Sequence, residues 1–374
     1  MTAKTLKSPE ATTPKDFRKN PYLPTNPGKV KVKYRKVAID MGNRSTKIAW
    51  TGSNIAKASF CEIETVIGKA DPSSASKGVF EYQGGYYVFG KNANHSSACQ
   101  YLVSNADSLN EGRKINEFSL FFQGVLTFIT NLKKPEKVNA IAIVISTTAP
   151  TNRYEQITNE IESIETLKID GQTYRYDIKV IRVVPEGWGV VRSGSTTAFA
   201  DAKIVFSRGV LLDIGHGTMI LNEFDATRYI TDKCEGEILD QKKHPRGCVT
   251  VADDWIEGMS QINGTIGDRK ILLEALARGS TKGTYRFTID KETNQAMNRV
   301  LTNAIASQWD AMMETVGRAI ERVKLDGGKL YACGGGAELF RSQLKNEGFK
   351  VVPNPKVANA IGMLNWLKVQ TVGE

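Results

Sequence analysis

The chain has 374 residues, of which 41% are hydrophobic, and this length predicts one large domain or two medium-sized domains with a sizeable core. The first thirty residues contain no apolar stretch typical of a secretory signal peptide, and no apolar run approaches the ~20 residues that a membrane-spanning helix needs. The net charge of +10 is concentrated in residues 1–36, which contain ten Lys or Arg and two acidic residues. We therefore expect a nearly neutral folded body and no membrane partner.

Residues 1–34 hold five of the twelve prolines, are rich in Thr and Lys, and show no hydrophobic period, so we expect a disordered basic tail. This tail either contacts DNA or an acidic partner, or it is solvated and has no specific role. The five cysteines include no C-x-x-C pair, which argues against a disulfide framework or a zinc site: Cys61, Cys99, Cys234, Cys248 and Cys333. Such usage is typical of a reducing compartment and predicts a cytoplasmic protein.

The predicted elements alternate between strands and helices along the chain. In the first half they are strands over 36–66, a hairpin over 78–91, a helix over 115–132, a strand over 137–147, a helix over 152–167 and a strand over 174–184. In the second half they are helices over 249–259, 270–277 and 292–324, a strand over 329–333 and a final helix over 358–369. This alternation predicts a duplicated α/β fold.

One motif occurs twice, about half a chain apart: an apolar run ending in Asp, a Gly two residues on, a short polar turn and a second apolar run. The first copy contains Asp40 and Gly42, and the second contains Asp213 and Gly215. Each copy predicts a strand, a tight turn and a return strand. A single copy is usually just a turn, but two hairpins that face each other would form a clamp for a nucleoside triphosphate.

Each predicted turn supplies groups that bind phosphate. Glycine allows the backbone to approach a ligand closely, and successive backbone N–H groups form a concave anion site. Hydroxyls from Ser45 and Thr218 and the charge of Lys47 add to this site. The candidate phosphate-binding residues are Gly42, Asn43, Arg44, Ser45, Thr46 and Lys47 in the first turn, and Gly215, His216, Gly217 and Thr218 in the second.

Asp40 and Asp213 end their strands beside the expected phosphates. A carboxylate there suits Mg²⁺, which keeps most of its waters and takes few protein ligands, so we expect both residues to hold Mg²⁺ through water. Arg44 either contacts a phosphate or points to solvent. His216 either influences phosphate release or is an exposed turn residue without a role.

Three further motifs follow the same order as in a known family: Val183-Val184-Pro185-Glu186-Gly187, Tyr331-Ala332-Cys333-Gly334-Gly335-Gly336-Ala337-Glu338-Leu339 and Val357-Ala358-Asn359-Ala360-Ile361-Gly362-Met363. With the two hairpins, they resemble the actin-like ATPase superfamily over about residues 35–370, and they are most similar to bacterial plasmid-segregation actins of the ParM/StbA type. The resemblance implies an actin-like fold of two RNase H-like domains with a nucleotide cleft between them. Domain I would span 35–200 and be completed by 355–374, and domain II would span 201–354.

The resemblance also implies roles for individual residues. Glu186 is the candidate for positioning the attacking water, and the alternative is a turn acid that follows Pro185. The candidate nucleoside-binding residues are Gly334, Gly335, Gly336, Ala337 and Glu338, where glycines let the nucleoside approach the backbone. The implied ligands are ATP, or alternatively GTP, and Mg²⁺.

The function that this resemblance implies is a polymerising actin-like ATPase whose nucleotide-dependent filaments serve plasmid or DNA segregation. Its partners would be further copies of the chain and either a DNA-binding adaptor or DNA itself, bound by the basic tail. The alternative is a small-molecule kinase of the same superfold, but the sequence offers no obvious kinase base. A non-polymerising, chaperone-like ATPase is disfavoured because we expect no substrate-binding domain after residue 370.

Overall fold

The computed structural model describes residues 33–42, 44–51, 58–71, 77–95, 98–101, 118–129, 137–193, 208–225, 237–244, 247–260, 268, 271–272, 275–276, 280–281, 284–288 and 290–372. Asn43 and the predicted basic tail up to residue 32 lie outside these residues, and the helix predicted over 270–277 lies partly outside them. The described chain forms a ten-stranded sheet, a five-stranded sheet and a pair of very short strands, accompanied by helices. The predicted α/β class is therefore confirmed.

The first sheet is built from the amino-terminal half of the chain. Its strands are β1 (Arg35–Met41), β2 (Ser45–Thr51), β3 (Ala58–Glu64), β4 (Val66–Lys69), β5 (Phe80–Tyr82), β6 (Gly85–Phe89), β7 (Ala98–Tyr101), β8 (Val138–Thr147), β9 (Thr166–Ile169) and β10 (Gln172–Pro185), in the order β3-β2-β1-β8-β10-β9-β5-β6-β4-β7. Strands β1, β8 and β10 run parallel, so their carboxyl ends meet at one edge of the sheet. The hairpins predicted at β1–β2 and β5–β6 are confirmed.

The second sheet follows, and it repeats the arrangement at the start of the first. Its strands are β11 (Gly209–Ile214), β12 (Met219–Asp225), β13 (Glu237–His244), β16 (Lys329–Cys333) and β17 (Lys350–Val351), in the order β13-β12-β11-β16-β17, while β14 (Ser280–Thr281) pairs with β15 (Thr284–Tyr285). The hairpin β11–β12 corresponds to β1–β2, and β16 runs parallel to β11 as β8 runs parallel to β1.

The described helices are α1 (Phe118–Ile129), α2 (Tyr154–Glu162), α3 (Trp188–Ser193), α4 (Cys248–Ser260), α5 (Lys291–Leu325), α6 (Arg341–Asn346) and α7 (Ala358–Val369). The helix predicted over 152–167 is confirmed over Tyr154–Glu162, but its predicted end is wrong, because the chain then enters strand β9. In β9 the buried Leu167 and Ile169 alternate with exposed neighbours, and pairing with β10 fixes this short segment as a strand.

Each sheet is covered by helices on the face that its apolar side chains define. Helices α1 and α2 pack on one face of the first sheet, and the buried side chains of α4 and α5 pack on the second. The other face of the first sheet is covered by α7, whose Met363 and Leu364 lie against Val144 of β8. The Lys36 ammonium of β1 donates to the carbonyls of Lys368 (2.8 Å) and Gln370 (2.7 Å) at the end of α7. No helix within the described residues has the length and apolar character required to cross a membrane.

Candidate functional site

The two hairpin turns face each other across a cavity of about 350 Å³. The β1–β2 turn forms one wall and the β11–β12 turn the other, and the loop after β10, the glycine triplet after β16 and the start of α7 complete the lining. Parallel pairing explains this convergence, because the carboxyl ends of β1, β8 and β10 meet at one sheet edge, as do those of β11 and β16. The cavity therefore combines segments from both halves of the chain.

Thr65 stabilises the first turn from the side away from the cavity. Its hydroxyl donates to the Gly42 carbonyl (2.8 Å), its backbone N–H donates to the Arg44 carbonyl (2.8 Å), and its oxygen lies 3.0 Å from the Thr46 hydroxyl. Thr46 is fully buried and does not line the cavity, so it supports the turn from the protein side. The residues of this turn that do line the cavity are Gly42, Arg44, Ser45 and Lys47.

The second turn is held by the first residues of α4. The N–H groups of Cys248 and Val249 donate to the carbonyls of Gly215 (3.1 Å) and His216 (2.8 Å). Gly247 makes this contact possible, because a Cβ there would lie 2.5 Å from the Gly215 carbonyl oxygen. All four predicted residues of the turn line the cavity: Gly215, His216, Gly217 and Thr218.

Asp40 is held in a defined orientation at the end of β1. One carboxylate oxygen accepts hydrogen bonds from the Ser146 hydroxyl (2.8 Å) and the Asn359 amide (3.1 Å), and the other lies 3.9 Å from the Lys47 ammonium. Asn359 also accepts a hydrogen bond from the Gly189 N–H (2.8 Å), which ties the start of α7 to α3. Asn359 lies in one of the quoted motifs, but neither its contact with Asp40 nor that of Ser146 was predicted, because these residues are distant from Asp40 in the sequence.

The carboxyl group of Asp213 has a raised pKa. Burial is the largest cause, the negative charges of Glu186 and Asp40 add to it, and Lys47 and a hydrogen bond from the Cys333 thiol oppose it, so that the pKa is about 7. The cavity is therefore a site where negative charge accumulates and where a cation would be stabilised. Within the described part of the chain, no group of three or more His, Cys, Asp and Glu side chains could hold a metal ion.

Glu186 lines the cavity from the loop that follows β10. Its neighbour Pro185 pairs with Thr147 at the end of β8, so this loop leaves the first sheet near the point where Asp40 ends β1. The Glu186 carbonyl points the other way and accepts a hydrogen bond from the Asn222 amide of β12 (3.2 Å). The loop thus lies between the two sheets.

The glycine triplet after β16 forms the remaining wall. The Gly334 N–H donates to the Pro355 carbonyl (2.9 Å), and its φ of +86° favours glycine. A Cβ on Gly336 would lie 2.3 Å from the Cys248 sulfur, whereas a Cβ on Gly335 would meet no atom closer than 3.9 Å. Glu338 also lines the cavity, but Ala337 is fully buried behind it.

The cavity also contains residues that the sequence did not indicate. Leu276 and Tyr285 supply apolar surface, as does Leu339 at the end of the quoted glycine motif, and apolar residues are common anywhere in a chain. At the rim, the Lys356 ammonium lies 2.6 Å from the Glu62 carboxylate. A single Lys and a single Glu almost 300 residues apart carry no signal in one sequence.

No protein-family model matches the sequence, and no curated protein matches it significantly. Similar folds occur among solved structures. A 15-stranded ParM filament from Clostridium botulinum has 16% identity and a TM-score of 0.59, covering 90% of this chain and 99% of that one. Bacillus thuringiensis ParM with ATP has 14% identity and a TM-score of 0.62, covering 90% and 98%. The archaeal actin homolog Ta0583 in complex with ADP has 14% identity and a TM-score of 0.59, covering 90% and 100%.

These similarities extend over nearly the full length of each solved chain, so they concern the whole architecture and not one motif. The two sheets with equivalent hairpins, and the cavity between those hairpins, agree with this architecture. The protein therefore has the actin-like fold of two RNase H-like domains with a cleft between them.

Proposed function

We propose that this protein is a polymerising actin-like ATPase that binds ATP and Mg²⁺ in the cleft and hydrolyses the nucleotide. The observation that carries the proposal is the convergence of both hairpin turns, Glu186 and the glycine triplet on one cavity of about 350 Å³. This volume is within the range of small-molecule sites. The solved neighbours include one protein with ATP and one with ADP, which supports a nucleotide as the ligand.

The phosphates would bind between the two turns. Backbone N–H groups, the hydroxyls of Ser45 and Thr218 and the Lys47 ammonium are suited to phosphate oxygens. A Cβ on Gly42 would lie 2.8 Å from the Ser45 carbonyl oxygen, so glycine keeps this turn tight. Arg44 and His216 also line the cavity, and we propose that both face the phosphates.

The acidic groups of the cavity fit a divalent cation. The pKa of Asp213 is raised by burial first and then by the charges of Glu186 and Asp40, and a bound cation would favour the ionised carboxylate. We propose that Asp40 and Asp213 hold Mg²⁺ through water, because Mg²⁺ retains several waters when it is bound beside phosphates. When bound, Mg²⁺ neutralises charge on the β- and γ-phosphate oxygens.

Glu186 is the proposed catalytic residue. Its carboxylate faces the same cavity as both turns, where it can orient a water for attack on the γ-phosphate. The nucleoside would lie against the glycine triplet, with open space above Gly335 and apolar contact from Leu276 and Leu339. These surfaces suit a purine, so GTP stays an alternative to ATP.

We further propose that nucleotide binding drives assembly into filaments that serve plasmid or DNA segregation. The solved ParM filament with the same fold supports self-association. A nucleotide that bridges the two turns would favour closure of the cleft, and loss of the γ-phosphate would weaken this bridge. The cargo would attach through a DNA-binding adaptor or the basic amino-terminal tail in the cytoplasm. Domain I would span 35–200 with 355–374, and domain II 201–354.

The proposal is tested by negative-stain electron microscopy and phosphate release with ATP and Mg²⁺. Glu186→Ala should still bind nucleotide and form filaments, but it should release phosphate at least about tenfold more slowly and give longer-lived filaments. Asp177→Ala is the matched control, because Asp177 lies on β10, the strand that leads to Glu186, and its carboxylate accepts a hydrogen bond from Tyr34 away from the cavity. The kinase alternative would be favoured by two results together. Microscopy would show only single particles at every nucleotide, salt and protein concentration, and the protein would transfer phosphate to an added small molecule.

A further inference from the structure

Two amide side chains of the second sheet hold the backbone of Glu186. The Asn222 amide of β12 donates to the Glu186 carbonyl at 3.2 Å, and the Gln241 amide of β13 donates to the same oxygen at 3.5 Å. Gln241 also donates to the side-chain amide oxygen of Asn222 at 2.8 Å. Asn222 and Gln241 are direct partners in the β12–β13 pairing, so the two hydrogen-bonded side chains bind the Glu186 carbonyl together.

Asn222 is unusual in its surroundings. It is fully buried, and it follows the buried apolar residues Met219, Ile220 and Leu221 of β12. A buried amide is stable only when its donors and acceptors are satisfied. Here the satisfaction comes from Gln241 and from a backbone atom of the opposite domain, which a hydrophobic side chain at this position could not bind.

The loop that carries Glu186 also packs tightly against β12. The residue after Glu186 is Gly187, whose φ is +85°, and a Cβ there would lie 2.4 Å from the Asn222 amide nitrogen. The Gly187 carbonyl then accepts hydrogen bonds from the N–H groups of Val190 (3.1 Å) and Val191 (3.2 Å), which starts α3. The loop is therefore pinned on both sides of Gly187.

Glu186 thus has two different attachments. On its amino-terminal side it continues β10 of the first sheet through Pro185, and its own carbonyl is bound to the second sheet. We therefore expect a movement of β12 relative to β10 to turn the backbone of Glu186, and with it the carboxylate, as long as both attachments hold. A misplacement of about 1 Å can reduce a rate by up to about 100-fold.

We infer that Asn222 and Gln241 are positioning residues, which set the direction of the Glu186 carboxylate according to the relative position of the two sheets. This inference rests on the hydrolytic function proposed above. Neither amide touches the nucleotide in this scheme. Their loss should therefore reduce the hydrolysis rate and leave nucleotide affinity nearly unchanged.

The test compares single-turnover hydrolysis and nucleotide affinity in Asn222→Leu and Gln241→Leu, with folding checked by circular dichroism. Asn222→Leu should slow hydrolysis about tenfold and Gln241→Leu about threefold, with dissociation constants within about twofold of the wild type. Gln241→Leu stays informative if Asn222→Leu does not fold, since Gln241 is only partly buried. Val191→Ala is the control, because it removes buried packing between α3 and the second sheet and leaves the Glu186 carbonyl bound.

A double mutant separates positioning from general stability. In the Glu186→Gln background, Asn222→Leu and Gln241→Leu should cause no further loss of rate, because they act through the group already removed. Three results would overturn the inference if the wild-type protein hydrolyses ATP. They are a further loss of rate in the Glu186→Gln background, equal losses of rate and nucleotide affinity in the single variants, and wild-type rates in both single variants. Absence of hydrolysis in the wild-type protein would instead overturn the proposed function, and the inference with it.

Discussion

Asn359 lines the cavity and its amide makes three hydrogen bonds, so its removal should destabilise the fold strongly. Asn359 is 4% exposed. It donates to the Asp40 carboxylate and to the Ser146 hydroxyl, both at 3.1 Å, and it accepts from the Gly189 N–H at 2.8 Å. These three bonds join α7 to β1, β8 and α3, so Asn359→Ala tests whether the final helix is fastened at this point.

The size of the effect follows from the groups left behind. A buried donor without an acceptor, here the Gly189 N–H, costs about 1–3 kcal/mol, and a lost hydrogen bond to a carboxylate costs about 1.5–3 kcal/mol. Asp40 keeps its bond from Ser146, which limits the second cost. We therefore expect Asn359→Ala to lower the free energy of unfolding by about 3 kcal/mol.

The assay is urea-induced unfolding without nucleotide, followed by far-ultraviolet circular dichroism. Asn365→Ala is a matched control on the same helix, because the Asn365 amide nitrogen is buried and has no hydrogen-bond partner among the described residues. This control should change the free energy of unfolding by less than about 1 kcal/mol. Equal losses in the two variants, or a stable Asn359→Ala protein, would refute the reasoning.

Three further predictions concern the cleft and the tail. Asp213→Ala should weaken nucleotide binding about tenfold in Mg²⁺ but not in EDTA, because it removes a carboxylate from the proposed cation site; equal affinities in Mg²⁺ would refute this role. Deletion of 1–34 should leave ATP hydrolysis unchanged, since Tyr34 binds Asp177 away from the cavity, and lost hydrolysis would contradict it. Gly336→Ala should lower nucleotide affinity, because the added Cβ would lie 2.3 Å from the Cys248 sulfur. Calorimetry measures the affinity, and a wild-type value would show that the cavity wall at Gly336 can adjust.

The sequence predicted the parts of the fold that local pattern controls. The helix predicted over 292–324 is α5 (Lys291–Leu325), because its apolar stripe repeats with helical spacing and Asp290 caps its first turn by accepting from the Thr293 N–H. Both Asp-x-Gly hairpins were also predictable, since the turn and the flanking apolar strands lie next to each other in the chain.

The sequence did not predict elements that depend on distant pairing. Strand β13 carries the polar run Glu237–His244, and it becomes a strand because β12 pairs with it along its length. The same limit applies to the cavity: most of the predicted turn residues line it, but Thr46 does not, and Thr65 and Asn222 were missed. The roles of Thr65 and Asn222 arise from the partners that folding places beside them, and those partners are distant in the sequence.

The position of α7 has a consequence for the folding of this protein during its synthesis on the ribosome. The chain completes the second sheet at β17 (Lys350–Val351) before it synthesises α7 (Ala358–Val369), which covers one face of the first sheet. Until α7 is synthesised, that face, with the buried Val144 and Val184, lacks the packing that Met363 and Leu364 supply. Exposed apolar strands invite aggregation, so the nascent chain should need its greatest protection by chaperones just before the last helix emerges.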